Sequence, residues 1–255
     1  MSRFFQSFRM FLAAFLVTAC TPSRTGVMEN ALTTNVKPLI TITGLAPLTV
    51  QGQGKVWADA ETDRLTTQQT VSFDYAIFAD AVSGPVSRFG FAAIARVSQP
   101  EMWRFEPTAD PAGNFAASEI QVDGIEFMVN LMRTASAKDW PSDVWRENGR
   151  DVPEIWLAKR WTAHLNDGVR AVAEYREAWP AGLKSISAQA VIPGGSEGQY
   201  LADFITRADA AFRMEKKGGT FPKGFSDKTT GLRIPRTLPD ITRLVGRVSG
   251  SGNES

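Results

Sequence analysis

The chain has 255 residues, 28 Lys and Arg against 27 Asp and Glu, one His, one Cys and 43% apolar residues. Such balance gives no electrostatic case for nucleic acid, which favours a basic stripe, so no nucleic-acid partner is expected. A lone His excludes a site built on several imidazoles, and a lone Cys excludes an internal disulfide. The fold must rest on its core, and a chain this long can bury one without covalent staples.

The first twenty residues have the layout of an export signal. Arg3 and Arg9 precede an uncharged apolar run from Met10, and Thr18-Ala19 lead into Cys20. The run is too short to span a bilayer, which takes about 20 apolar residues. Val17-Thr18-Ala19-Cys20 resembles the lipobox of bacterial lipoproteins, with Val17 where leucine is commoner. The resemblance implies that residues 1–19 are a cleaved signal peptide and that the Cys20 thiol carries diacylglycerol. Two or three acyl chains such as palmitate, at about 0.8 kcal/mol per buried methylene, then hold the chain stably on a membrane. Thr21 in place of Asp implies, as in enterobacterial members, the outer membrane facing the periplasm. The expected location is therefore the bacterial cell envelope. Loss of Arg3 and Arg9 leaves 26 bases against 27 acids, a net charge of −1.

Residues 20–37 hold the cysteine and then a run of Thr, Pro, Ser, Gly and Asn without apolar period, expected as a flexible tether. A strand in its second half is the alternative. An α+β globular domain is expected over 38–219. Pro38–Gly44 is its first strand. Leu48–Ala58 alternates with period two, and Gly52 and Gly54 predict a bulge. Thr70–Ala79 alternates Val71, Phe73, Tyr75 and Ile77 with small or polar residues, and the run from Arg88 to Val97 does the same. These two are expected as neighbouring antiparallel strands with one wet face. Trp103–Phe105 reads as a short edge segment. Ser118–Val122 and Ile125–Arg133 flank Asp123-Gly124, a hairpin signal because a type I′ turn needs positive φ.

Asp139–Asn148 is expected as a short helix, with Pro141 in its first turn and Gly149 at its exit. Val152–Ala163 and Val169–Trp179 surround Asn166-Asp167-Gly168, a second hairpin. A two-residue Asp167-Gly168 loop pairs Trp156 with Trp179; an Asn166-Asp167 loop pairs Trp161 with Val172. One residue of slip exchanges the faces, and both registers stay open. Lys184–Ile192 reads as a strand. Ser196–Lys216 is expected as one long helix, on the stripe Leu201, Phe204, Ile205, Ala208, Ala211 and Phe212, capped by Ser196 and closed by Gly218-Gly219. Residues 220–255 read as an irregular extension, with one turn of helix or an edge strand over Leu238–Val245 and a disordered tail from Val248. The expected fold is thus α+β, a mainly antiparallel curved sheet of about seven to nine strands packed on one long and one short helix.

The central stretch also resembles an uncharacterised family of lipoproteins from sulfate-reducing bacteria. The residues that carry this are Trp145, Asn148-Gly149-Arg150, Val152-Pro153-Glu154-Ile155-Trp156, Arg160-Trp161 and Glu174-Tyr175-Arg176-Glu177. The resemblance implies no activity and supplies no catalytic residues.

Chemistry is sparse. His164 is the one imidazole, at a hairpin end, and neither a nucleophile elbow nor a phosphate loop is present. Asp74, Glu126, Glu154, Glu174 and Glu177 lie on or beside strands, but no spacing fixes a catalytic pair. No metal or cofactor is expected. Trp156, Trp161, Tyr175 and Trp179 crowd one hairpin. They form either an aromatic binding face for a sugar, peptide or partner protein, or a sheet core under the helices, and the core is favoured. The expected function is a non-catalytic envelope lipoprotein that binds another envelope protein or glycan. The alternatives are an envelope hydrolase acting through paired carboxylates and a structural subunit of an envelope assembly.

Overall fold

The computed structural model describes residues 24–60, 69–80, 84–100, 103–106, 113–137, 139–180, 196–225, 230–233 and 248–250. Cys20 with its leader, the Lys184–Ile192 segment and Leu238–Val245 lie outside the described residues.

Three layers stack around a central sheet. Its eight strands run in the order β13-β4-β5-β6-β11-β10-β9-β8, every neighbour antiparallel. They are β4 (Thr49–Ala60), β5 (Gln69–Ala79), β6 (Arg88–Val97), β8 (Asn114–Val122), β9 (Ile125–Ala135), β10 (Ile155–Asn166), β11 (Val169–Ala178) and β13 (Thr230–Gly231). One face is covered by a four-stranded sheet of β1 (Thr25–Met28), β2 (Ala31–Thr34), β3 (Thr41–Gly44) and β12 (Phe212–Glu215), together with helix α2 (Ser196–Asp209). The other face is covered by helix α1 (Trp140–Glu147) and the pair β7 (Trp103–Phe105) and β14 (Val248–Gly250).

The alternating pattern of β5 and β6 identifies them as strands, and they pair directly. The expected wet face is not there. Ala76 and Ala92, on the side opposite Phe73 and Phe91, are fully buried, as are Ala171 and Ala173 on β11. These positions are small because the second sheet presses on them. Leu32, Ile42, Phe78 and Phe212 share that core with them. Small residues on a strand mark close approach of another layer as readily as they mark solvent.

The residues expected as a tether are folded from Arg24 onward. Thr25–Met28 and Ala31–Thr34 form a hairpin, and Leu32 and Thr34 are fully buried. The turn between them is carried by Glu29 at φ 54, so no glycine announces it. At the other end of the chain, Val248 is 1% exposed and β14 pairs with β7, where a disordered tail was expected.

Local turn chemistry holds where it is strong. Asp123 and Gly124 take φ 51 and 72, the left-handed pair that the β8–β9 hairpin requires. The register of β4 shifts between Val50 and Gly52, the bulge that its glycines predict. Asp139 caps α1, its carboxylate accepting from the Ser142 N–H at 3.2 Å, and Trp140, Val144 and Trp145 turn inward. Helix α2 starts at Ser196 but ends at Asp209 rather than Lys216, and Phe212–Glu215 leave it as β12. Its inward stripe is Leu201, Phe204 and Ala208, all at most 2% exposed.

Candidate functional site

The β10–β11 hairpin organises two charged clusters, one on each face of the central sheet. Its loop is Asp167-Gly168, and Asn166 pairs with Val169. A bulge between His164 and Asn166 then adds one residue, so the strands run with Trp156 opposite Ala178, Arg160 opposite Glu174 and Trp161 opposite Ala173. Neither register expected from the turn alone survives, because the bulge sits between the turn and the tryptophans.

This settles the aromatic residues. Trp156 belongs to the core under α1, fully buried, its ring edge-on to Phe89 at 5.1 Å. Trp161 and Tyr175 lie on the opposite face, in the core under α2 and β12, at 2% and 3% exposure. Trp179 packs at the border of that second core, with the Arg133 guanidinium 5.3 Å over its ring. The four rings do not form one exposed face. Among the described residues the exposed large apolar side chain is Trp57 on β4, at 56%, with the Lys55 ammonium 5.1 Å over it.

On the α1 face the hairpin buries a chain of charges. Arg160 Nε donates to Glu174 Oε2 at 2.5 Å, and Arg176 Nε donates to the other oxygen, Oε1. The far side of the Arg176 guanidinium grips Asp139, one contact being Nη2 to Oδ1 at 3.1 Å. Asp139 also accepts from the Ser142 hydroxyl, which in turn accepts from Trp156 Nε1 at 2.9 Å. Arg176 and Glu174 are fully buried. Two cations and two carboxylates cancel, and each carboxylate meets a guanidinium, the condition under which buried charge is tolerated. Burial opposes charge on Arg176, but Asp139 and Glu174 outweigh it and raise the guanidinium further. The network therefore pins the start of α1 to the middle of the sheet.

On the α2 face Glu177 accepts the Tyr175 hydroxyl at 2.6 Å and a bidentate Arg207 at 2.7 and 2.8 Å. Burial and the Glu177 bond push the Tyr175 phenol well above its ordinary range. Next to it Lys159 pairs with Asp209 at 2.5 Å and stands 5.1 Å over the Trp161 ring.

Beside this pair opens a cleft of about 400 Å³. Leu45, Ile120, Val122, Trp161, Phe212 and Met214 give it an apolar lining, and Asp209 and Arg213 place one charge of each sign on it. It exists because helix α2 stops at Asp209 and β12 turns away, which leaves β8 on the opposite wall. No local signal marks it, since the end of α2 is hidden in a continuous apolar stripe.

The acids singled out in the sequence take separate partners. Glu174 and Glu177 point to opposite faces, each bound to arginine. Asp74 is buried 3.8 Å from Lys55 and 4.0 Å from Arg96, while Glu126 accepts from Gln121 and, like Glu154, is exposed. His164 is exposed, its imidazole pushed down by partial burial and by Arg170. Among the described residues no three His, Cys, Asp or Glu side chains group as metal ligands.

A pH prediction follows from the two depressed carboxylates. Burial alone would raise Asp139 and Glu177, but Arg176 and Ser142 hold the first, and Arg207 and Tyr175 the second, below the usual carboxylate range. A depressed folded value contributes stability above the unfolded value of about 4 and loses it as pH falls through the folded one. Urea midpoints should therefore hold steady from neutrality to about pH 5 and drop below about pH 4, less steeply in Glu177→Gln. A midpoint that rises on acidification contradicts this assignment.

No family model, curated protein or solved structure matches the chain. Its chemistry is read from its own residues.

Proposed function

We propose that the chain is a bacterial envelope lipoprotein, held by acyl chains on Cys20 in the outer membrane facing the periplasm, that binds another envelope component without transforming it. The cleft beside β12 carries the binding half of this reading. Its volume falls in the range of about 300–1,000 Å³ that suits a small ligand or a protruding side group. Its lining is apolar with two polar anchors, Asp209 and Arg213, the composition common to ligand sites. The arginine-bound state of Glu174 and Glu177 supports a structural role for these acids. The partner fits as a protein or glycan group that offers an apolar body and a charged or polar edge.

The test places a photo-crosslinking residue at Ile120 or Arg213 in the anchored chain inside the cell. One adduct of defined mass should form from both positions and not from Glu154, which is exposed but no part of the cleft. Val122→Asp, which sets an unpaired charge on the apolar wall, should weaken the adduct by about tenfold or more. Equal adducts from Glu154, or turnover of an envelope polymer by the purified chain, would count against a binding module.

A further inference from the structure

We propose that the end of the small sheet at which the chain enters the fold docks on anionic phospholipid headgroups. This rests on the lipid anchor at Cys20 proposed above. The registers of β1, β2, β3 and β12 put the pair Thr25–Thr34 and, one residue along, the row Thr33–Thr41–Glu215 at that end. Arg24 enters there, its N–H donating to Asn35 Oδ1 at 2.7 Å and its carbonyl accepting from the Asn35 N–H at 3.1 Å. Thr21, Pro22 and Ser23 alone separate it from Cys20. At no more than about 3.6 Å per residue, the Cα atoms of Cys20 and Arg24 lie within roughly 15 Å. A lipid on Cys20 therefore draws this end against the bilayer, instead of hanging the body from a long tether.

The charge of the end fits that position. Lys37 lies in the β2–β3 link, Lys216 and Lys217 follow β12, and Lys223 lies in the turn that Arg24 holds through the Phe225 carbonyl at 2.6 Å. All four lysines are exposed. The segment after β12 is fixed in place, since Thr41 Oγ1 donates to the Lys217 carbonyl at 2.9 Å and the Gly219 N–H to the Thr34 carbonyl at 3.2 Å. Among the described residues two carboxylates share the region: Glu215, 2.7 Å from Lys217, and Asp123, which accepts from the Lys216 N–H at 2.6 Å. The five cations, Arg24 included, outnumber them. Glu29 sits at the far end of the sheet, in the β1–β2 turn. The potential of an anionic membrane decays over a Debye length, about 8 Å at physiological salt, so the face that a short link keeps within roughly 15 Å feels more of it than any other.

The experiment reconstitutes the membrane-extracted full chain on vesicles of phosphatidylcholine, with or without phosphatidylglycerol. Flotation on the neutral vesicles in high salt reports the anchor alone. Residue-resolved amine labelling of Lys37, Lys216, Lys217 and Lys223 reports the face. The chain should float on both vesicles, and labelling should slow by about fivefold on the anionic ones. That difference should vanish near 1 M salt, where the Debye length is about 3 Å. In the triple variant K37E, K216E and K223E, flotation should persist while Lys217 loses its protection. Flotation with equal labelling on both vesicles overturns the docking face and leaves the anchor standing. Failure to float on neutral vesicles overturns both.

Discussion

Replacing Glu174 by alanine is expected to cost the fold about 3–5 kcal/mol, the price of leaving buried charge without its partner. Glu174 is the one carboxylate shared by Arg160 and Arg176, and all three are buried. Without it the Arg160 and Arg176 guanidinium groups lose the carboxylate they share across β10 and β11, and Asp139 stays on Arg176. For a chain of this size the loss should appear as a fall in Tm of about 10 °C, or as a matching drop in the urea midpoint. Glu174→Gln keeps the shape but not the charge and should recover little. Arg160→Met combined with Glu174→Leu should recover most of the loss, because the Arg176–Asp139 pair remains neutral as a unit. If Glu174→Ala unfolds at the midpoint of the unmodified chain, the network does not hold the helix to the sheet as described.

Phe212→Ala is expected to cost about 3 kcal/mol on the opposite face, the low end for a buried phenylalanine because solvent in the adjacent cleft relieves part of the cavity. Phe212 stands edge-on to Phe78 at 5.6 Å and to Trp161 at 6.2 Å, and it lines the cleft. It is the residue through which β12 locks the small sheet to the large one. Gly90 makes room for it, since a Cβ there would meet the Phe212 ring at 2.6 Å and Leu48 at 3.3 Å. Gly90→Ala alone should therefore cost about 1–3 kcal/mol by overpacking. Joined with Phe212→Leu it should cost less than the two single changes together, because they share one space. Additive losses in a double-mutant cycle would mean that the two positions do not touch.

Much of this architecture was legible in the sequence, and the failures have a common physical cause. Asp123-Gly124, Pro141 in the first turn of α1 and the alternation of β5 and β6 are local signals, and each marks the element it predicts. The misreadings fall where a second layer decides. Alanines 76 and 92 look like a wet face until the small sheet covers them. Ala208, Ala211, Phe212 and Met214 satisfy a helical stripe and a strand's alternation alike, so the end of α2 is set by the pairing of β12 with β3. Strands of four residues, such as β1 and β2, are too short to show a period. The bulge before Asn166 carries no glycine or proline mark, so the face of each tryptophan in the hairpin was undecided. The cleft was invisible for the same reason, since its walls come from β8, β10 and β12, far apart in the chain.

The mass of the mature chain isolated from the membrane fraction tests most directly how the body is attached. The expected species begins at Cys20 and carries a diacylglyceryl group on its sulfur, with the apolar leader gone. An uncut chain that still begins at Met1, with a free Cys20 thiol, would contradict it.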